Sequence, residues 1–226
     1  MVKVMGRKKI KLLLFDMDGV IVNSKSIYLK AFKNSLGALG QMIDLRRVGA
    51  ALLTPTLSFT AKSLLPPQLK SDGMLRKILG TVNNVICERG NIEKVKACPN
   101  AVAVLRSLKK NKVKMCLVTN SYKEFVERSL WFLGIEKIFD QIITASDKFS
   151  SKADACKYLI KKYKLKPEDV AYVGDWMTDV WTAREVGCVS VIVYNRCSWG
   201  YRNKKAIVDS KPDHIFDNLK ELRKIL

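Results

Sequence analysis

Two aspartates stand two positions apart near the N-terminus, in the segment Phe15-Asp16-Met17-Asp18-Gly19-Val20. Side chains at this spacing in an extended chain project from the same side, so both carboxylates can face one ligand. Such a pair suits a divalent metal ion with oxygen ligands, or a division of work between a nucleophile and a proton-transfer group. Because Asp-Gly is also a common turn pair, a solvated turn is an equal alternative for this segment alone.

Three later segments carry side chains that could bind phosphate or metal. Thr119-Asn120-Ser121 offers hydroxyl and amide groups ahead of a helical stretch, where backbone N–H groups can also bind phosphate. Lys152 opens another helical stretch and could offset the repulsion between a phosphate and a carboxylate. The segment 174–179 places two aspartates four positions apart, where both could face one metal ion. Taken singly, these features are also typical of helix N-caps, surface lysines and acidic helix N-termini.

Short apolar runs alternate with helical stretches along most of the chain. Runs typical of buried strands occupy residues 10–15, 113–118, 141–144, 170–173 and 189–193, and helical stretches occupy residues 100–110, 122–133, 152–163 and 178–186. Strands that alternate with helices form βαβ units around a parallel sheet covered on both faces. The reactive segments lie at the carboxyl ends of the strands, which form the ligand crevice of such sheets. A short strand within 212–216 and a helix over 218–225 complete the predicted core.

Residues 24–96 have helical periodicity and no convincing strand. Tyr28, Phe32 and Leu36 recur at helical spacing, and Pro66-Pro67 divides the region into two helical halves. We therefore predict an α-helical cap at 24–96, inserted after the first strand of a core formed by 1–23 and 97–226. Hinges are expected near residues 22–24 and 97–99, and a cap of this kind can close over a site and exclude water.

The composition narrows the classes of function. Lys and Arg number 41 against 21 Asp and Glu, and the resulting net charge of +20 attracts anionic substrates and polyanions. The basic residues are spread along the chain rather than grouped with aromatics, so nucleic-acid binding is not favoured. No apolar run is long enough to cross a membrane, and we expect a cytoplasmic protein. The six cysteines form no Cys-x-x-Cys pair, which favours reduced structural thiols.

In chain order, the four segments resemble the signature of the haloacid dehalogenase superfamily. Its pattern is Asp-x-Asp-Gly after the first strand, Ser or Thr after the second, a Lys, and then Gly-Asp-x-x-x-Asp. The interval from Asp18 to Thr119 has room for the helical cap of phosphoglycolate-phosphatase-like and β-phosphoglucomutase-like members. The shorter interval from Thr119 to Lys152 has no room for a large second cap. The resemblance implies an α/β, doubly wound (Rossmann-like) parallel sheet core with an inserted α-helical cap domain.

The resemblance also implies roles for the acidic residues. Asp16 would attack phosphorus and hold Mg²⁺. Asp18 would protonate the leaving oxygen and later activate water, and its backbone carbonyl would reach the metal. Asp175 would complete the metal site, and Asp179 would support it directly or through water.

Phosphate binding would fall to Thr119, Asn120 and Lys152. Relatives usually have proline after the lysine, whereas alanine follows Lys152, so Lys148 and Lys157 are alternatives. We favour Lys152 because the helix begins there. Relatives also often have a small residue after Gly-Asp, where this chain has Trp176. That side chain could narrow the mouth of the site or pack against the cap, and it is the only tryptophan expected to contact a substrate.

The activity that the resemblance implies is that of a Mg²⁺-dependent phosphatase, which hydrolyses a small phosphorylated metabolite through an aspartyl-phosphate intermediate. The carboxylate at Asp18 supports phosphoryl chemistry, because dehalogenases of this fold lack one there. A phosphomutase of the β-phosphoglucomutase type is the alternative, although no gating residues can be recognised in the cap region. A basic nucleic-acid-binding protein that has kept the fold is less favoured, since a binder has no need of four carboxylates and a lysine at these positions.

Overall fold

A parallel sheet forms the centre of the fold in this computed structural model, which describes residues 9–54 and 56–226. Its strands are β1 (Leu12–Phe15), β2 (Lys114–Val118), β3 (Gln141–Ile143), β4 (Val170–Gly174), β5 (Val189–Val193) and β6 (His214–Phe216). The spatial order is β3-β2-β1-β4-β5-β6, and every neighbouring pair is parallel. This order is that of a doubly wound, Rossmann-like sheet. The predicted fold class is therefore confirmed.

The central strand β1 is buried on both faces of the sheet. Leu13 and Phe15 pack into one hydrophobic cluster, and Leu12 and Leu14 pack into the other. All four side chains are fully inaccessible to solvent. A strand covered on both faces needs apolar residues at successive positions, which explains why its sequence does not alternate between apolar and polar residues.

Helices of the core follow the strands on both sides of the sheet. They are α6 (Ala101–Lys110), α7 (Lys123–Phe132), α8 (Lys152–Lys162), α9 (Met177–Val186) and α10 (Lys204–Asp209). Helix α10 was not predicted, and the expected closing helix at 218–225 is a 3₁₀ helix over Leu219–Lys224. Both segments are only six residues long, and a segment of that length shows too little periodicity to reveal its type.

The described residues between β1 and α6 form helices, turns and two isolated β-bridges, but no strand. The helices are α1 (Lys25–Gly37), α2 (Leu45–Ala51), α3 (Leu57–Leu64), α4 (Asp72–Cys87) and α5 (Arg89–Ile92), with a 3₁₀ turn at Pro67–Leu69. The break at Pro66-Pro67 is present, but three helices precede it rather than one continuous half. Separate N-caps explain the division, because Asp44 caps α2 and Thr56 caps α3 through their side chains.

The two connections between this helical region and the sheet run side by side. The Asn23 amide donates to the Lys96 carbonyl at 2.8 Å, and the Cys98 amide donates to the Ile21 carbonyl at 2.8 Å. These bonds lie where the hinges were expected. The division into a cap at 24–96 and a core at 1–23 and 97–226 remains our proposal, and residues 1–8 of that core lie outside the described residues. None of the helices among the described residues has the length and apolar character needed to span a membrane.

The burial of β1 predicts that substitutions in this strand destabilise the fold more than substitutions at exposed positions. Leu14→Ala should lower the free energy of unfolding by about 2 to 5 kcal/mol, because it leaves a cavity in a closed cluster. Met42 is 91% exposed, so Met42→Ala should change the free energy of unfolding by less than about 0.5 kcal/mol. Urea denaturation followed by circular dichroism measures both values. Equal effects of the two substitutions would contradict the assignment of β1 to the centre of the core.

Candidate active site

Asp16 and Asp175 meet at the carboxyl ends of two neighbouring strands. Asp16 follows β1 and Asp175 follows β4, and the pairing of Phe15 with Val173 places Asp175 one residue beyond the position level with Asp16. Asp179, in the first turn of α9, completes a group in which one carboxylate oxygen of each residue lies within 4.8 Å of the others. The three residues are only 7%, 4% and 2% exposed, respectively. The structure thus gathers three carboxylates in a buried position.

Two glycines of the sequence motifs make this close approach possible. Gly19 has a φ of +75°, and a Cβ atom there would lie 2.1 Å from the Asp175 Oδ2 atom. A Cβ atom at Gly174 would lie 2.3 Å from the Cβ and Cγ atoms of Asp179. Both positions therefore require glycine, the first for its backbone conformation and for space, the second for space alone.

Lys152 is the cation that contacts the acidic group. Its ammonium lies 2.8 Å from the Asp16 Oδ2 atom and 3.2 Å from the Asp179 Oδ1 atom. Helix α8 begins at Lys152, and Ser151 caps it by accepting a hydrogen bond from the Asp154 amide at 3.1 Å. Of the alternative lysines, Lys157 pairs with Glu185 on the surface and Lys148 is exposed. The structure therefore brings Lys152, and neither alternative, to Asp16.

The acidic group has more negative charge than one ammonium can balance. Burial raises the pKa of Asp16 to about 7, although the Lys152 ammonium lowers it, and Asp179 raises it further. Burial, followed by the charges of Asp179 and Asp16, raises the pKa of Asp175 well above its usual value. Burial also opposes the charged form of Lys152, but Asp16 and Asp179 outweigh it and raise the pKa of Lys152. Buried carboxylates short of positive charge are a donor set that fits a hard divalent cation such as Mg²⁺.

The Asp18 carboxylate has its own set of partners and stands apart from the acidic group. The hydroxyl of Ser24 donates to its Oδ1 atom, and the hydroxyl of Ser121 donates to its Oδ2 atom. The Tyr28 hydroxyl, from α1, lies 2.8 Å from the Ser121 hydroxyl. Burial raises the pKa of Asp18, and the bonds from Ser121 and Ser24 partly offset that effect. Sequence reasoning did not connect Ser24 or Tyr28 with the site, and it included Ser121 only as part of the segment 119–121 that could bind phosphate.

All of the site residues predicted from the sequence line one cavity. They are Asp16, Asp18, Thr119, Asn120, Lys152, Asp175 and Asp179. The Thr119 hydroxyl accepts a hydrogen bond from the Ser121 amide at 3.2 Å, which fixes the loop after β2. The cavity volume is about 70 Å³, small beside the several hundred Å³ typical of ligand pockets.

Two tryptophans from the core lie between the acidic group and the helical region. The indole N–H of Trp176 donates to the Leu53 carbonyl at 2.9 Å, and Trp176 also lines the cavity. Trp199 lines it as well; its amide donates to the Asp175 Oδ2 atom, and its ring meets the ring of Tyr28 edge-on at 5.3 Å. Trp199, which was not assigned to the site from the sequence, thus lines the cavity together with Trp176, and the contact of Trp176 with a substrate stays a prediction. Trp199 belongs to the loop after β5, and nothing in its local sequence indicates this contact.

Comparison with known proteins places the chain in a family. Residues 13–193 match the model of the haloacid dehalogenase-like hydrolases. A phosphoglycolate phosphatase of Vibrio parahaemolyticus is 28% identical over 98% of each chain, and the pyrophosphatase PpaX of Bacillus mycoides is 24% identical over 96% of this chain and 97% of its own. A crystal structure described as a predicted phosphoglycolate phosphatase from Haemophilus somnus has a TM-score of 0.81 at 23% identity, covering 96% of this chain and 97% of that one.

The chain belongs to the haloacid dehalogenase-like hydrolase family. The match spans the first strand, the helical region and the Gly-Asp-x-x-x-Asp segment, so it covers every motif on which the resemblance was based. The curated relatives are named as phosphatases and pyrophosphatases, consistent with an enzyme that hydrolyses phosphoric esters. The predictions of the superfamily and of the class of enzyme are confirmed.

The ion pairs of Lys152 predict which lysine supports catalysis. Lys152→Ala should lower kcat/KM for a common phosphoester by about a hundredfold or more, because it removes the cation beside Asp16. Lys148→Ala and Lys157→Ala serve as matched controls and should each cost less than about threefold, since solvated lysines contribute little directional charge. Steady-state phosphate release measures all three variants. A larger loss in either control would contradict the role of Lys152.

Proposed function

We propose that this hydrolase is a Mg²⁺-dependent phosphatase, which releases phosphate from a small phosphorylated metabolite through a phosphorylated Asp16. The observation that carries the proposal is the placement of Asp16. Its carboxylate belongs to the buried acidic group, contacts the Lys152 ammonium, and lines the same cavity as Asp18 and Thr119. Phosphoryl transfer is catalysed mainly by positioning and by electrostatic stabilisation, and this arrangement offers both.

In the first step, Asp16 attacks the phosphorus atom. One of its oxygens, Oδ1, accepts a hydrogen bond from the Met17 amide at 2.8 Å, which holds the carboxylate in one orientation. A bond forms between a carboxylate oxygen of Asp16 and phosphorus, and the bond from phosphorus to the leaving oxygen breaks. Asp18 gives its proton to that oxygen, so the leaving group departs as an alcohol.

In the second step, water attacks the phosphorus of the aspartyl phosphate. Asp18, now ionised, takes a proton from the water, and the bond between phosphorus and Asp16 breaks to release inorganic phosphate. The hydroxyls of Ser24 and Ser121 keep the Asp18 carboxylate in place between the two steps. Thr119, Asn120 and Lys152 would hold the phosphoryl oxygens throughout.

Asp16 and Asp175 would hold the Mg²⁺ ion, with Asp179 as a direct or indirect support. When bound, Mg²⁺ would neutralise charge on the phosphoryl oxygens and on the crowded carboxylates. The backbone carbonyl of Asp18 as a further metal ligand stays a prediction, and so does the cytoplasmic location expected from the sequence.

Replacing the proposed nucleophile should abolish turnover. Asp16→Asn keeps the size of the side chain but removes its nucleophilicity and its negative charge, so kcat should fall to less than about a hundredth of the original. Asp209→Asn, at an exposed site on α10, is a matched control expected to keep full activity. Phosphate release and the isomeric state of a sugar phosphate substrate are measured together, which separates a phosphatase from a phosphomutase. Substantial turnover by Asp16→Asn would refute the proposed nucleophile.

Removal of the metal ion should cause a loss of activity that is fully reversed when the ion is added back. Activity should be lost in EDTA and return with Mg²⁺, because the buried carboxylates offer hard oxygen ligands. Asp175→Ala should raise the Mg²⁺ concentration for half-maximal activity by about tenfold or more. Titration of activity with Mg²⁺ measures this shift. Full activity after exhaustive chelation would contradict the metal requirement, and an unchanged Mg²⁺ requirement in Asp175→Ala would remove that residue from the metal site.

A further inference from the structure

The cavity wall supplied by the helical region consists of uncharged residues. Its members are Tyr28, Leu52, Thr54, Thr56, Leu57 and Thr60. A wider cavity of about 380 Å³ adjoins the first and shares Thr56, Thr119, Asn120, Lys152 and Thr178 with it. A substrate whose phosphoryl group lies beside Asp16 would therefore extend its leaving group along this wall or into the wider cavity.

Among the described residues that line either cavity, Lys152 is the one lysine or arginine. Its ammonium is already paired with Asp16 and Asp179. The wider cavity adds the carboxylate of Glu185, which is paired with Lys157 at 2.8 Å, and Lys157 itself does not line the cavity. The ammonium of Lys25 donates to the backbone carbonyl of Trp199 at 2.5 Å and lines neither cavity. An anionic group on the leaving group would find no cation of its own in the described walls, and burying an unpaired charge is costly.

The threonine hydroxyls of the wall supply mainly hydrogen-bond acceptors. Thr54 donates to the Ala51 carbonyl at 2.8 Å, and Thr60 lies 3.2 Å from that carbonyl and 3.0 Å from the Thr54 hydroxyl. Each hydroxyl has one proton and two lone pairs, so these bonds use the protons and leave lone pairs. Thr56 accepts from the Phe59 amide at 3.2 Å and keeps its proton for a further acceptor. Such a wall matches hydroxyl groups, which both donate and accept, better than carboxylates, which only accept.

We propose that the leaving group is uncharged and carries hydroxyl groups, as in the phosphate ester of a small polyol, and that a carboxylate or a second phosphate there is disfavoured. The inference rests on the proposed phosphatase function. The net charge of +20 does not oppose it, because a long-range field attracts every phosphate ester and leaves discrimination to the groups in contact. Thr54, Thr56 and Thr60 are the specificity-determining residues.

A matched pair of substrates tests the proposal. Glycerol 3-phosphate and 3-phosphoglycerate differ in having a hydroxymethyl group or a carboxylate at the end away from phosphate. With Mg²⁺ present, kcat/KM should be at least about tenfold higher for glycerol 3-phosphate. p-Nitrophenyl phosphate and acetyl phosphate are measured in parallel. If these two compounds are hydrolysed, the proposed phosphatase function stands, and a kcat/KM ratio below about tenfold, or no phosphate release from glycerol 3-phosphate, overturns the proposal about the leaving group. If none of the compounds releases phosphate, the proposed function itself fails.

A cation added to the wall should shift this preference. Leu57→Arg should lower the ratio of the two kcat/KM values by about tenfold or more, because it gives the carboxylate a partner. Leu57→Gln is the matched uncharged control and should change the ratio by less than about threefold. Circular dichroism establishes that both variants are folded. If Leu57→Arg folds and the ratio of the two kcat/KM values is unchanged, the proposal is overturned. If that variant does not fold, the ratio measured with the unmodified protein decides whether the proposal holds.

Discussion

The crowding of three carboxylates around one ammonium is the constraint on which the rest of this structure depends. Asp16, Asp175 and Asp179 are buried together, where each charge is poorly screened, and Lys152 can neutralise only part of their charge. The backbone provides further compensation. The amides of residues 175 and 176 both donate to the Asp179 Oδ2 atom at 3.1 Å, and the Trp199 amide donates to Asp175. The negative charge that remains uncompensated fits a divalent cation, which we propose that the enzyme uses for catalysis.

The doubly wound sheet makes this crowding possible by fixing the approach of its central strands. Parallel neighbours such as β1 and β4 end at the same edge, so the residues that follow them must meet. Gly19 and Gly174 have no side chain, so the aspartates can approach more closely than a Cβ atom at either position would allow. The apolar strand β1 holds Asp16 in place at its end, because the side chains of β1 pack into clusters on both faces of the sheet.

The helical region contacts Asp18, the proposed proton-transfer group, and lines the cavity. Ser24 and Tyr28 connect it to the Asp18 carboxylate, Tyr28 through Ser121. The bond from Trp176 to the Leu53 carbonyl anchors it beside the threonine wall. The same region therefore holds the Asp18 carboxylate and carries the proposed specificity residues. Trp176, the bulky residue that follows the Gly-Asp motif, therefore links the core to the helical region.

The sequence was most informative where local signals and topology agree. The run before Asp16 was predicted as a buried strand and is one, and the structure places Lys152, at the start of α8, beside Asp16. It was least informative in the helical region and on the surface. Helices α2 and α3 are too short to show a clear period, and the contact of Trp199 with Asp175 depends on a long-range loop. Trp131 and Trp181 are 71% and 46% exposed although tryptophan is a largely apolar residue, because residue type alone does not determine burial.

The central claim is that Asp16 becomes phosphorylated during turnover. Acid quenching during steady-state hydrolysis, followed by borohydride reduction and peptide mass spectrometry, identifies the residue that carried the phosphoryl group. An acyl phosphate is reduced to an alcohol, so the claim predicts that Asp16, and no other carboxylate, is converted to homoserine only when Mg²⁺ and substrate are both present. Conversion of a different aspartate, or no conversion in an enzyme that is turning over substrate, would contradict it.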